Sequence, residues 1–120
     1  MRIWDLEPRI LCRQHLLGEH RELHAIWNIL TKGLKGYSHH PETMRWCGKL
    51  CALYKRHLKL VAEMKRRGYN HASPLDKRLA VGSGVQREFV HSIPEQEAIL
   101  LAKNCECKIP ARCRDFVDRA

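Results

Sequence analysis

Between residues 12 and 30, apolar side chains recur at steps of three and four. Cys12, Leu16, Leu23, Trp27 and Leu30 fall near one stripe, with His20 inside it, the spacing of a helix with one buried face. Pro8 suits the first turn of that helix, where its missing N–H would be orphaned anyway, and Gly33 and Gly36 supply a stop. The pattern predicts a first helix over Pro8–Thr31. A short polar linker, Lys35–His40, follows. Pro41 and Glu42 open a second helix, carried to Arg67, with Leu50, Leu53, Tyr54, His57, Leu58, Val61 and Met64 as its apolar face. Lys49, Lys55, Arg56, Lys59, Lys65, Arg66 and Arg67 form its basic remainder, and Gly68 ends it. Tyr69–Val90 has Pro74, Gly82 and Gly84 and no period, which predicts a long loop. Ser92-Ile-Pro-Glu-Gln-Glu97 is a helix start, with serine as N-cap and acids in the first turn, and predicts a third helix over Pro94–Asn104. Cys105–Ala120 reads as a polar tail whose largest apolar pair is Phe116 and Val117. Ile3 and Trp4 would draw the leading arm onto the body. The expected fold is all-α: one compact domain over residues 1–120, with about three helices, long loops and little or no sheet.

The first helix carries a second stripe. His15, Gly18, Glu22 and Ala25 repeat by the same spacing. They place an acid and a base two turns apart, with small residues beside the acid. Glycine inside a helix costs about 1 kcal/mol relative to alanine. Close approach by another group offsets that cost. The group can be a substrate, or a neighbouring helix packed tightly against Gly18.

Charge narrows the choice of partner. Lysine and arginine exceed aspartate and glutamate by nine in a chain of 120 residues. So basic a small domain points to a polyanion, most simply nucleic acid, although a merely soluble basic surface has the same composition. No apolar run reaches the roughly 20 residues that span a bilayer, and Asp5 and Glu7 interrupt the leading segment, unlike a secretory signal. A cytoplasmic protein without a membrane partner is expected, its six cysteines present as thiols or ligands.

Three sets of residues are candidates for chemistry. The first is the α-amine of Met1 beside Glu22. An α-amine has a pKa of about 7.7–8.0, so part of it is neutral at pH 7, and nearby arginines lower it further. A neutral amine can attack a sugar carbon and form an imine, while Glu22 moves protons or stabilises the cation. Arg2 is too large to favour removal of Met1. The second set is metal ligands. His20 and His24 lie one turn apart, as do Cys47 and Cys51, but His20-Arg-Glu-Leu-His24 displaces the glutamate of the zinc-protease pattern by one position. Cys105, Cys107 and Cys113 could hold zinc with a fourth ligand from elsewhere, at a spacing that fits no standard finger. The third is DNA contact by Arg2, Gln14, Arg21, Lys32 and the basic end of the second helix, Lys65 and Arg66, which would position phosphates without reading sequence. Trp4, Trp46 and Tyr69 suit either a core or a platform for a displaced base.

Two segments carry a family resemblance. Gln14-His-Leu-Leu-Gly-Glu-His-Arg-Glu-Leu23 resembles the signature helix of the phage and bacterial pyrimidine-dimer DNA glycosylases. Tyr54-Lys-Arg-His-Leu-Lys-Leu-Val-Ala-Glu-Met-Lys-Arg-Arg-Gly-Tyr-Asn70 resembles their second signature. The opening Met-Arg-Ile-Trp and the run Asn70-His-Ala-Ser-Pro-Leu75 are similar to the bacterial branch. The resemblance covers residues 1–75. It implies a small helical enzyme, needing no metal or organic cofactor, that acts on damaged double-stranded DNA as a monomer. In that family the terminal amine attacks the sugar C1′, expels the base and allows β-elimination of the 3′ phosphate. The resemblance assigns the essential glutamate to Glu22, the histidine to His15, and the flanking arginines to Arg2 and Arg21. In gapless register the phage enzyme's terminal threonine falls on Met1. Two features depart from the phage pattern. His24 and Ala25 stand where the phage enzyme has proline and arginine, and its aromatic-rich tail has no counterpart. Both bear on which lesion is cut. The residues alone also suit a basic DNA-binding protein without chemistry, or a zinc-stabilised small regulator.

Overall fold

The computed structural model describes residues 2–70, 73–103 and 105–109. Among them the chain forms four helices: α1 (Arg13–Lys32), α2 (Pro41–Met44), α3 (Leu50–Arg66) and α4 (Ile93–Ala102), with 3-10 turns at Pro8–Ile10 and Lys77–Leu79. No strand forms among these residues, and one isolated antiparallel bridge joins Lys49 to Gly82. The all-α class read from the hydrophobic pattern is the observed one. α1 and α3 make the main helix pair. Leu16, Leu23, Ile26 and Trp27 of α1 share one core with Leu53, Leu60 and Met64 of α3, and that core takes in Ile3, Trp4, Leu6 and Leu11 of the leading arm. No helix among the described residues is long and apolar enough to cross a membrane.

Two predicted helices are interrupted, each for a tertiary reason. The first does not run unbroken from Pro8. Leu11 and Cys12 are extended, and α1 starts at Arg13. Arg67 Nη2 donates to the carbonyls of Pro8 (3.2 Å), Arg9 (3.3 Å) and Leu11 (2.6 Å), oxygens that a continuous helix would give to N–H groups four residues on. The second helix breaks between α2 and α3. Gly48 adopts a left-handed backbone, φ 71°. The first turn of α3 has no side-chain cap at Lys49. Instead the loop supplies carbonyls: Val81 accepts from Cys51 N–H at 2.9 Å and Ser83 from Ala52 N–H at 3.0 Å, satisfying donors that every helix start leaves open. The long loop is thus the N-terminal cap of α3.

The buried face of α3 departs from the predicted one at Leu58 and Leu60. Leu53, His57, Leu60 and Met64 are buried, whereas Leu58, expected inward, is half exposed at 50%. Leu58 and Leu60 are two residues apart, about 200° of helix rotation, so burying Leu60 in the core turns Leu58 to the opposite side. Other local signals held. Gly33 ends α1 in the left-handed region, φ 63°, and Ser92 and Glu95 form a reciprocal capping box on α4. The final residue of the predicted third helix, Asn104, and the pair Phe116 and Val117 lie outside the described residues.

Gly82 is the tightest point of the loop. It has φ 86°, and a Cβ there would lie 2.2 Å from the Gly48 carbonyl oxygen. Gly82→Ala should therefore cost about 3 kcal/mol or more, combining backbone strain with a backbone clash. Gly33→Ala, where no atom lies within 4 Å, should cost only about 1–2 kcal/mol. Urea denaturation of both variants checks the order, and an equal loss would mean that the loop does not seat against Gly48.

Candidate active-site cleft

Side chains from α1, α3, α4 and their flanks bond seven backbone groups of the leading arm. Arg45 Nη2 donates to Ile3 O at 3.1 Å. Trp4 N–H donates to Glu19 Oε1 at 3.1 Å, Asp5 N–H to Gln96 Oε1 at 2.8 Å, and Arg56 Nη1 to Leu6 O at 2.8 Å. Arg67 continues the series at Pro8, Arg9 and Leu11. Arg45, Arg56 and Arg67 are eleven residues apart, about three helical turns between the last two, so both face the arm from one side of α3. Each is matched by an acid. Glu42 accepts from Arg45 at 2.6 Å, Glu19 from Arg56 at 2.6 Å and Glu63 from Arg67 at 2.7 Å. Arg66, and with it Arg67, holds the Glu63 carboxyl down to about 2. Burial pushes the Glu19 carboxyl up, against the opposing pull of Arg56.

The arm delivers Arg2 to an open cleft of about 320 Å³ lined by Trp4, Gln14, His15, Gly18, Glu19, Arg21, Glu22, Ile99 and Lys103 as well. Five of the predicted site residues therefore come together: Arg2, Gln14, His15, Arg21 and Glu22. His15, Gly18 and Glu22 face it along one side of α1. A Cβ on Gly18 would meet only Arg21 Nη2, at 3.9 Å. Among the described residues no neighbouring helix packs there, which leaves room beside Glu22. Arg2 lies over the Trp4 ring at 4.8 Å and donates to His91 Nδ1 at 3.2 Å. Trp4 meets His15 edge to face at 5.9 Å. Burial, with Lys103 adding to it, lowers the pKa of His15, leaving a neutral imidazole at pH 7. The Glu22 carboxylate has no hydrogen bond or ion pair to any described residue, and Arg2, Arg21 and Lys103 line the cleft with it. A carboxylate so placed can accept a proton or stabilise a developing cation.

The other predicted residues lie elsewhere. Lys32 ends α1, about 15 Å along the axis from Glu22. Arg66 lines a separate basic groove with Arg9, Arg13, Arg67, Tyr69 and Lys108, and Lys65 is exposed nearby on α3. Met1 and Cys113 lie outside the described residues. Trp4 and Trp46 are core residues, 5% and 2% exposed, and not platforms for a base. Arg56 and Arg67, counted above in the basic remainder of the second helix, are struts onto the arm. Sequence reading missed Glu19, Ile99 and Lys103. Glu19 left a signal, an acid three residues after Leu16 and four before Leu23, inside the buried stripe. Ile99 and Lys103 left none, because α4 reaches the cleft only through tertiary packing. A larger concavity of about 780 Å³ shares Gln14 and Arg21 but is lined by Cys12, Arg13, Leu17, His20, Cys105 and Glu106 instead of Glu22. The smaller cleft is the one that brings Arg2, His15 and Glu22 together. His20, His24 and His57 form a trio on the α1–α3 face, with ring centroids 4.6–5.3 Å apart.

The family model described as pyrimidine dimer DNA glycosylase matches residues 1–77, which include the arm, all of α1 and all of α3. No curated protein and no solved structure matches the chain.

The ion pair behind the cleft yields a stability prediction. Glu19→Gln keeps the shape but turns an amide donor toward the Arg56 guanidinium and leaves its charge buried. The loss should be about 3 kcal/mol or more, read by denaturant unfolding at neutral pH. A loss below about 1 kcal/mol would show that the pair does not hold the arm.

Proposed function

The chain belongs to the pyrimidine dimer DNA glycosylase family, and on that premise we propose that it excises damaged pyrimidines and then nicks the strand, with the α-amine of Met1 as nucleophile and Glu22 as its acid–base partner. One observation supports this above the others: Arg2, one residue and about 3.8 Å of backbone from Met1, lines the same open cleft as Glu22. The amine nitrogen bonds to C1′ while the bond from C1′ to the base breaks. The base leaves with a proton, and loss of the ring oxygen's bond to C1′ gives the protonated imine. The imine acidifies C2′, a proton is removed there, and the 3′ phosphate departs by β-elimination. Glu22 stabilises the cationic intermediates and relays these protons. Arg2, Gln14, His15 and Arg21 position the sugar and its phosphates, with Lys32, Lys65 and Arg66 as outlying phosphate contacts. Extruding a nucleotide costs a few kcal/mol, least where the duplex is already distorted, which favours lesions over intact DNA.

Strand nicking of a duplex with one cyclobutane pyrimidine dimer, and of one with an abasic site, tests the reading. Glu22→Gln should bind both duplexes as the parent does and lose about 10²–10⁴-fold in turnover. A Gly-Ser extension ahead of Met1 should abolish nicking. Unchanged nicking by either variant would refute the assigned roles. Nicking of the abasic duplex alone would confine the activity to the lyase half.

A further inference from the structure

We propose that Cys12, His15, Cys105 and Cys107 bind one zinc ion, and that this ion fastens the segment after α4 to the start of α1, on the flank of the cleft. The three sulfurs and a ring nitrogen of His15 lie within 4.8 Å of one another. Cys12 Sγ is 3.1 Å and Cys107 Sγ 3.4 Å from His15 Nδ1. Tetrahedral zinc with three sulfurs and one nitrogen has donors about 3.5–3.8 Å apart, so the four groups already surround a zinc-sized point. The set contains no carboxylate and leaves no coordination position open. Three thiolates and an imidazole are a structural zinc set, selecting zinc over magnesium or calcium by softness. A multi-iron cluster needs its cysteines spread over several irons and does not fit so tight a group.

The surroundings suit the complex. One zinc dication and three thiolates sum to one negative charge, formed as three thiol protons pass to solvent and imidazole binds neutral. Cys12 is the N-cap of α1, where the helix dipole favours a negative group, and Arg13, Lys103 and Lys108 add cations nearby in sequence. Cys12 N–H already donates to Cys107 Sγ at 3.1 Å, an outer hydrogen bond of the kind that orients a thiolate ligand. The segment itself needs a fastening. Between residues 105 and 109 only Ile109 is buried, and one backbone bond, Lys108 N–H to Ile10 O at 2.7 Å, joins it to the arm. So little burial does not offset the entropy of ordering five residues. Zinc would, and coordination through Nδ1 would fix His15 in the tautomer protonated on Nε2. The ion takes no part in the imine chemistry; it touches the proposed reaction only through His15, which lines the cleft with Glu22 and would be held in place by the metal.

Metal analysis of the full chain, purified reduced and without chelator, tests it. About one zinc per chain is expected, falling to near zero in Cys105→Ser and Cys107→Ser and retained in His24→Gln. Cobalt(II) in place of zinc should give thiolate-to-cobalt charge-transfer bands and tetrahedral d–d bands. Chelation of the parent should lower Tm, and zinc but not magnesium should restore it, which covers the case of a cysteine variant that does not fold. Zinc well below stoichiometry with no thiolate–cobalt band would overturn the proposal. So would zinc retained in Cys107→Ser and lost in His24→Gln, or a Cys12–Cys107 disulfide in the purified chain.

Discussion

The buried pair Glu19–Arg56 ties together the three pieces on which the cleft depends. Glu19 comes from α1, Arg56 from α3, and both hold the leading arm, one at Trp4 N–H and the other at Leu6 O. An acid at 2% exposure is costly unless its oxygens are fully used. Here one oxygen accepts from Trp4 N–H and Arg56 Nη2 and the other from Arg56 Nε. The arm has no strand partner among the described residues, so its peptide groups need side-chain partners, and the arginines of the α2–α3 region provide them. An extended arm with Ile3, Trp4 and Leu6 buried is thereby set in one register, and Arg2 emerges at Glu22.

This arrangement changes the meaning of the chain's positive charge. Arg45, Arg56 and Arg67 are spent on backbone carbonyls and neutralised by Glu42, Glu19 and Glu63. They serve the architecture first, and of the three only Arg67 also reaches the lining of the basic groove beside Arg66. The cleft and the separate groove keep their own cations: Arg2, Arg21 and Lys103 around Glu22, and Arg9, Arg13 and Lys108 beside Arg66. Those cations are the ones that phosphate binding would engage, with the salt dependence that counterion release brings.

What the sequence could reveal depended on the range of the interaction. The stripe His15, Gly18, Glu22 was legible because one helix carries it and helical spacing is local. The Ser92 box and the Gly33 stop were legible for the same reason. The breaks at Leu11–Cys12 and Arg45–Lys49 were not. They arise where Arg67 takes carbonyls from a helix 56 residues away and where residues 81–83 cap a helix from across a loop. Nor could spacing tell Arg66, with two thirds of its side chain in water, from Arg67, drawn inward onto the arm, because adjacent residues differ only by helix rotation. Cys12 and Cys107 meet across 95 residues, beyond any spacing rule for zinc.

Borohydride reduction of the protein on abasic DNA, followed by peptide mapping of the adduct, tests the central claim most directly. If the buried pair sets the arm as described and the arm presents the nucleophile, the sugar remnant will be found on the α-nitrogen of Met1. An adduct on Lys103, whose amine lines the same cleft, or no adduct from a preparation that nicks the strand, would contradict the account.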